Sequence, residues 1–281
     1  MLTFTYYFTK FRLFLIALVG AMLIINEVGA ISNKLRIGGS GTDIATFRLI
    51  ADEFEKLNPS IKIEIPDSIG SGGAVKAVKS GWLDIGLMSR PLKSSEISSK
   101  IVSYLYGSTP LVFAVSSTHS VSSVSLKQLE AIFNGELTTW NSKDEIRLIL
   151  RPKSDSDTLL LVDKYPHLKA SINKAHLQRG LPIAISDQDA IKYLKDLPGA
   201  FGTTTLALLL SESHDIKVLA FDGVAPSVEN NNYPLNKNLF IVLPNKVSTE
   251  TRKFIKYIRS PKGIEIFKRT GHRIIEFSPA F

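Results

Sequence analysis

The chain contains no cysteine among its 281 residues. That excludes disulfides, thiolate metal ligands, a cysteine nucleophile and a lipid-modified cysteine at a processed N-terminus. Histidine is scarce, and His119, His167, His176, His214 and His272 fall at no metal-ligand spacing such as His-Glu-x-x-His. No Gly-x-Ser-x-Gly elbow is present, because neither Gly39-Ser40-Gly41 nor Gly70-Ser71-Gly72 has the spacing. Asp155 and Asp157 lack the rest of a calcium loop. No internal repeat or low-complexity tract interrupts the sequence. These gaps argue against an enzyme, a metal site and a cofactor. The net charge is +8, but lysine and arginine are spread along the chain rather than gathered in one arm. Such a balance gives solubility and a weak pull on anions, and no nucleic-acid partner is expected.

What is present begins with a targeting segment. Lys10 and Arg12 precede an apolar run from Leu13 to Ile25, and Val28-Gly29-Ala30 offers small residues at cleavage spacing. Residues 1–30 read as an export signal, with the mature chain starting near Ile31. The run is short for a spanning helix, which leaves an uncleaved anchor as the lesser alternative.

The chain is organised around Ile69-Gly70-Ser71-Gly72-Gly73. It follows the alternating run Ile61-Lys62-Ile63-Glu64-Ile65 and precedes Ala74, Val75, Ala77 and Val78, which fit one helix face stopped by Gly81. Strand, glycine loop and helix start make an anion cradle, since first-turn N–H groups lack intrahelical partners and lie at the positive end of the dipole. A tight turn without ligand is the alternative. A second such unit runs from Leu35-Arg36-Ile37 through Gly38-Gly39-Ser40-Gly41-Thr42 into a helix carrying Ile44, Phe47, Ile50 and Phe54. It is neither a Rossmann fingerprint nor a P-loop. A third joins the strand Ile146 to Leu150, through Arg151, Ser154, Ser156 and Thr158, to the apolar run Leu159 to Val162.

Between them, Asp84-Ile85-Gly86-Leu87-Met88 reads as a strand stopped by Pro91, with Ser89 and Arg90 at its carboxyl end, the edge beyond which open α/β sheets place ligands. Pro110 to Val115 reads as a buried strand. Ser125 with Gln128 forms a capping box, and Trp140 is expected to pack against a lobe. Ser186-Asp187-Gln188-Asp189 caps a further helix. Two helices, about 249–259 and 261–270, finish the chain, and Gly271 is the expected C-cap of the second. Strands and helices alternate, so the fold class is α/β with mostly parallel sheets.

Several of these stretches together resemble the periplasmic phosphate-binding proteins of ABC transporters, the PstS-like family. They include Ser68-Ile69-Gly70-Ser71-Gly72-Gly73, Asp84 through Leu92, Leu126 through Asn141, Arg151 to Thr158, Pro198-Gly199-Ala200-Phe201-Gly202 and Phe221-Asp222-Gly223-Val224-Ala225-Pro226-Ser227. The resemblance covers nearly all of the chain after residue 30. It implies a two-lobed, type II-like binding protein with two crossing segments and a ligand cleft between the lobes. On that pattern residues 31–115 and 220–281 form one lobe and 116–219 the other. It also implies export to the periplasm, or secretion as second choice, a monomer, and partners that are inorganic phosphate or a related oxyanion and an ABC transporter permease. Carried across, Ser40, Gly41 and Thr42 match the family's first loop, Gly70, Ser71 and Gly72 its second, and Arg151, Ser156 and Thr158 its third. Ser89 and Arg90 complete the expected site.

Two departures follow from the same resemblance. Where many members place a carboxylate that accepts the proton of hydrogen phosphate, this chain has Ser89. The family's Ser-Gly-Thr is Ser156-Asp157-Thr158, which makes Asp157 either a replacement proton acceptor or an intruder that turns away. The second of these opens an alternative function, an adhesion or interaction protein on the same fold with altered anion binding.

Overall fold

The computed structural model describes residues 33–141, 144–212 and 214–279. The expected export signal lies outside the described residues. No described helix is long and apolar enough to cross a membrane.

The elements run β1 (Asn33–Gly39), α1 (Gly41–Leu57), β2 (Ile61–Glu64), α2 (Gly70–Lys79), β3 (Ile85–Met88), β4 (Ile101–Ser116), β5 (Ser123–Val124), α3 (Leu126–Asn134), β6 (Thr139–Trp140), β7 (Asp144–Glu145) and β8 (Arg147–Leu148). They continue with α4 (Ser156–Lys164), α5 (Leu168–Ala175), α6 (Asp187–Asp196), β9 (Ala200–Thr205), α7 (Leu206–Glu212), β10 (Ile216–Val218), β11 (Ala220–Phe221), β12 (Asn236–Pro244), α8 (Thr249–Ile258), α9 (Pro261–Arg269) and β13 (Arg273–Ile274). Local chemistry sets several ends. The Ser125 side chain accepts from the Gln128 N–H at the start of α3, and Gly135 closes that helix in the left-handed region. Ser260 caps α9 with Pro261 in its first turn. The glycine stretch expected as a loop is itself the first turn of α2, which begins at Gly70.

One sheet runs through the molecule in the order β2-β1-β3-β12-β4-β9-β8. It is mixed, which corrects the expectation of mostly parallel sheets. β1 pairs in parallel with β2 and β3, and β8 with β9, but β12 pairs antiparallel with β3 and β4, and β4 with β9. The reason is β4, which is 16 residues long and pairs antiparallel with β12, β9, β10 and β13. Its residues 101–110 pair with β12, and its residues 111–115 with β9. The sequence predicts this strand only from Pro110, because the polar and aromatic stretch Ser103 to Thr109 does not look like a buried run.

Two cores lie along this strand. On one side Phe47, Phe54, Phe254 and Phe267 pack with Leu35 and Ile37. On the other Phe113, Phe201, Leu129 and Phe221 pack with Trp140 and Tyr233. Trp140 meets Phe201 edge-on at 5.6 Å, a packing role. Leu111 belongs to the second core and Tyr106 to the first, so β4 passes from one core to the other near residue 110. The return behaves alike: Phe221, Tyr233 and Leu235 stay with the second core, and β12 joins the sheet beside β4 from Asn236, opposite Pro110. A strand pair that crosses between lobes leaves no polar break in the sequence at the crossing point.

Candidate anion-binding site

Four helix starts meet in the cleft between the lobes. From the first lobe come α1, entered through Ser40, and α2, entered through Ile69. From the second come α4, entered through Asp155, and α6, entered through Ser186. They enclose a cavity of about 410 Å³. Two glycines make the approach possible. Gly70 has φ +67°, a left-handed conformation that turns the chain into α2. A Cβ on Gly41 would stand 2.7 Å from Asp187 Oδ2 and 2.6 Å from Gln188 Oε1, so only glycine lets α6 lie this close to α1.

Eight of the expected residues line this cavity: Ser40, Gly70, Ser71, Gly72, Ser89, Arg90, Arg151 and Ser156. Their centre is a cluster of serine hydroxyls. Ser40 Oγ donates to Ser89 Oγ at 2.9 Å, and Ser89 Oγ lies 2.9 Å from Ser156 Oγ and 3.4 Å from Ser71 Oγ. The Ser89 N–H donates to Ser71 Oγ at 3.1 Å. Each hydroxyl can donate or accept, so the cluster can turn its protons toward an anion. Neither Ser40 nor Ile69 caps its helix with a side chain. In α2 the Gly70 N–H reaches only the Ser68 hydroxyl, at 3.4 Å.

The two arginines are already engaged. Arg90 grips Glu96 with both guanidinium ends, each at 2.7 Å, and Glu96 falls below its ordinary pKa chiefly through that bond. Arg151 is buried among carboxylates: Asp155 at 2.9 Å, Asp187 at 3.3 Å and Asp157 at 3.9 Å, with the Ser186 carbonyl accepting a further bond.

Gly41, Thr42, Asp157 and Thr158 do not reach the cavity lining. Gly41 lies beneath α6, and Thr42 is buried, accepting from Lys237 Nζ at 3.3 Å. Thr158 turns to the Arg151 carbonyl at 3.5 Å. Asp157 points away from the cradle into an ion pair with Lys237, and Thr203 donates to its other oxygen at 3.0 Å. Burial raises the Asp157 carboxyl, but Lys237 and Arg151 outweigh it and hold the group below its usual value. Asp157 is therefore an interlobe strut rather than a proton acceptor facing a ligand.

Two residues escape a reading of the sequence. Lys237 is fully buried at the start of β12, and a lone lysine before an apolar strand gives no sign of that. Asp187 reads in the sequence only as part of a helix cap. In the structure it lines the cavity beside Ser40 and over the start of α1. Burial raises its carboxyl, which Arg151 only partly offsets. The signal available is two acids, Asp187 and Asp189, at one helix start where a single cap would serve.

The family described as the PBP superfamily domain matches residues 26–262. The phosphate-binding protein PstS 2 of Streptococcus agalactiae is 30% identical over 110 residues, covering 39% of this chain and 37% of that protein, so the match spans little more than a third of that relative. The phosphate-binding protein PstS of Borreliella burgdorferi is 24% identical over 249 residues, 84% of this chain and 88% of that protein. Among solved structures, a chain from Clostridium perfringens described as a phosphate ABC transporter substrate-binding protein, with phosphate bound, superposes with a TM-score of 0.75 at 19% identity, covering 87% of this chain and all of that one.

Proposed function

The chain belongs to the PBP superfamily, and we propose that within it this protein is an exported receptor that captures inorganic phosphate between its lobes and delivers it to an ABC importer. The observation that carries this reading is the start of α2, Gly70, Ser71 and Gly72 with no side-chain cap from Ile69, facing the hydroxyls of Ser40, Ser89 and Ser156 and the Arg151 guanidinium in one cavity. A tetrahedral anion there meets main-chain N–H and O–H donors rather than loose cations. Hydrogen bonds to a charged group net about 1.5–3 kcal/mol each, so four or five supply the ~8 kcal/mol of a micromolar site. Nothing in this scheme needs a bond to be made or broken, and the reading is of a receptor rather than an enzyme. The names of the streptococcal and Borreliella relatives support phosphate as the anion. The turning-away of Asp157 favours this reading over the adhesion alternative, because the intruding carboxylate leaves the cradle clear.

Calorimetric titration of the ligand-free protein tests it. One phosphate is expected per chain, with a dissociation constant in the micromolar range or below. Ser71→Asp, which puts a negative charge on the cradle wall, is expected to weaken binding roughly 100-fold or more, the loss of at least one charged hydrogen bond plus repulsion. Normal phosphate binding by that variant would show that the anion sits elsewhere.

A further inference from the structure

The cradle is one of two adjoining cavities. A second groove, about 600 Å³, shares Ser89, Arg90, Lys93 and Ser156 with it. The contact between the Ser89 and Ser156 hydroxyls is thus the partition between them. A phosphoryl group held by the serine cluster occupies the cradle side and leaves the larger groove open. The groove walls are Pro91 and Leu92 from the first lobe and Leu159 and Leu160 from α4, and Asn236 and Asn238 of β12 lie at its base. Leu159 stands 38% exposed on that wall, and Asn238 is exposed with an amide that can both donate and accept. Asp163, Arg90, Lys93 and Lys237 also line the groove; Arg90 is paired with Glu96 and Lys237 with Asp157, so Lys93 and Asp163 leave little net charge for a second ionic group.

The partition itself is chemically permissive. A carboxylate at this point would require a proton on the phosphate oxygen facing it, and an ester oxygen has none. The Ser89 hydroxyl can donate to an ester oxygen or accept from a protonated one.

From this geometry we infer that the cleft also takes phosphate monoesters with a short, uncharged, hydroxylated tail, the phosphoryl group in the cradle and the tail in the Leu159–Asn238 groove. The inference rests on the reading of the cradle as a phosphate site. It makes the protein a receptor for small organic phosphates as well as the free anion.

The test is calorimetry on the purified protein with glycerol 3-phosphate and, separately, inorganic phosphate. The ester is expected to bind as tightly as phosphate to within about threefold, or tighter. Leu159→Trp fills the groove and is expected to weaken the ester roughly tenfold while moving phosphate less than about threefold, the scale on which a pocket discriminates by a missing or blocked carbon or two. Asn238→Leu, on an exposed strand position where folding is not at stake, is expected to weaken the ester alone. Phosphate binding with the ester more than about thirtyfold weaker overturns this inference and spares the cradle. Ester binding that neither substitution alters also overturns it, because the tail then lies elsewhere. Silence toward both ligands overturns the phosphate reading and this one together.

Discussion

The four helix starts at the cleft are built in two ways. Those of the first lobe present Ser40 of α1 and Gly70, Ser71 and Gly72 of α2, and neither N-cap residue, Ser40 or Ile69, caps its helix with a side chain. Those of the second lobe satisfy themselves. Asp155 accepts from the Asp157 N–H at α4, and Ser186 and Asp189 form a reciprocal capping box at α6. The second lobe also sets Arg151 among its own carboxylates, Asp155, Asp157 and Asp187, and Lys237 of β12 reaches Asp157 from the other lobe. A helix start already holding a carboxylate has little left for a second anion. On the proposed reading the difference divides the work: the first lobe offers donors, and the second offers a jaw whose helix starts are already capped and whose Arg151 is already paired, adding the Ser156 hydroxyl and an edge of Arg151.

The sharpest way to break this division is to unbalance the jaw. Lys237 and Asp157 are each about 1% exposed, and they join the two lobes beneath the cradle. Removing one member of a buried pair costs about 3–5 kcal/mol, because the other charge is left unpaired in a poor solvent. Lys237→Met is therefore expected to lower the melting temperature by roughly 6–20 °C, and the pair Asp157→Asn with Lys237→Met to recover most of that loss. Urea unfolding of Lys237→Met, Asp157→Asn and the double variant checks the cycle. Equal losses in single and double variants would mean that the pair is not what holds the lobes in register.

The next effect is smaller and depends on pH. Asp187 is raised in the native chain by burial, so between its unfolded value, about 4, and its native one the folded protein binds more protons than the unfolded. Stability contributed by this group accordingly falls as pH rises through that window. Asp157 has the opposite sign: burial opposes its charge, Lys237 and Arg151 more than restore it, and its contribution is complete above the unfolded value and fades as pH falls through the native one. Asp187→Asn should remove the first slope and leave the second, in urea unfolding measured from about pH 3 to 7. Because Asp187 sits over the start of α1, the same variant should also bind sulfate about tenfold better, one carboxylate fewer facing a fully ionised anion. An unchanged pH profile and unchanged sulfate binding would remove Asp187 from the cradle.

What is legible in the sequence follows the same division. Part of the first lobe's share can be read, because glycine and serine between an alternating strand and an apolar helix mark a helix start, but Gly41 and Thr42 of the same pattern lie beneath α6 and in the interior. Ser40, Gly70, Ser71, Gly72 and Ser89 all line the cavity. The second lobe is harder. Asp157 and Thr158 follow Arg151 closely in sequence, yet the helical turn that carries Ser156 into the cleft carries them into the interior. Lys237 is decided by a partner 80 residues away, which no local pattern encodes. The α/β class of the fold is legible and the strand polarity is not. Alternation of elements suggests parallel pairing, whereas β4 and β12 meet antiparallel through a register set by their full length.

The asymmetry can be probed most gently at a cap. Ser186 lines the cavity but spends its hydroxyl on the Asp189 N–H at 3.0 Å. Ser186→Ala is expected to cost about 1 kcal/mol of stability, the usual worth of an N-cap, and to change phosphate affinity less than about twofold. Ser71→Ala is expected to cost a similar amount of stability, since the Ser89 N–H loses its acceptor, but it differs in binding, which gives up one donor to a charged ligand, worth roughly tenfold. Unfolding checks the shared cost, and titration of both variants distinguishes the two designs. If Ser186→Ala weakened phosphate as much as Ser71→Ala, the second lobe's helix starts would have to be counted among the donors, and its internal capping would be a state that the ligand displaces rather than one it leaves intact.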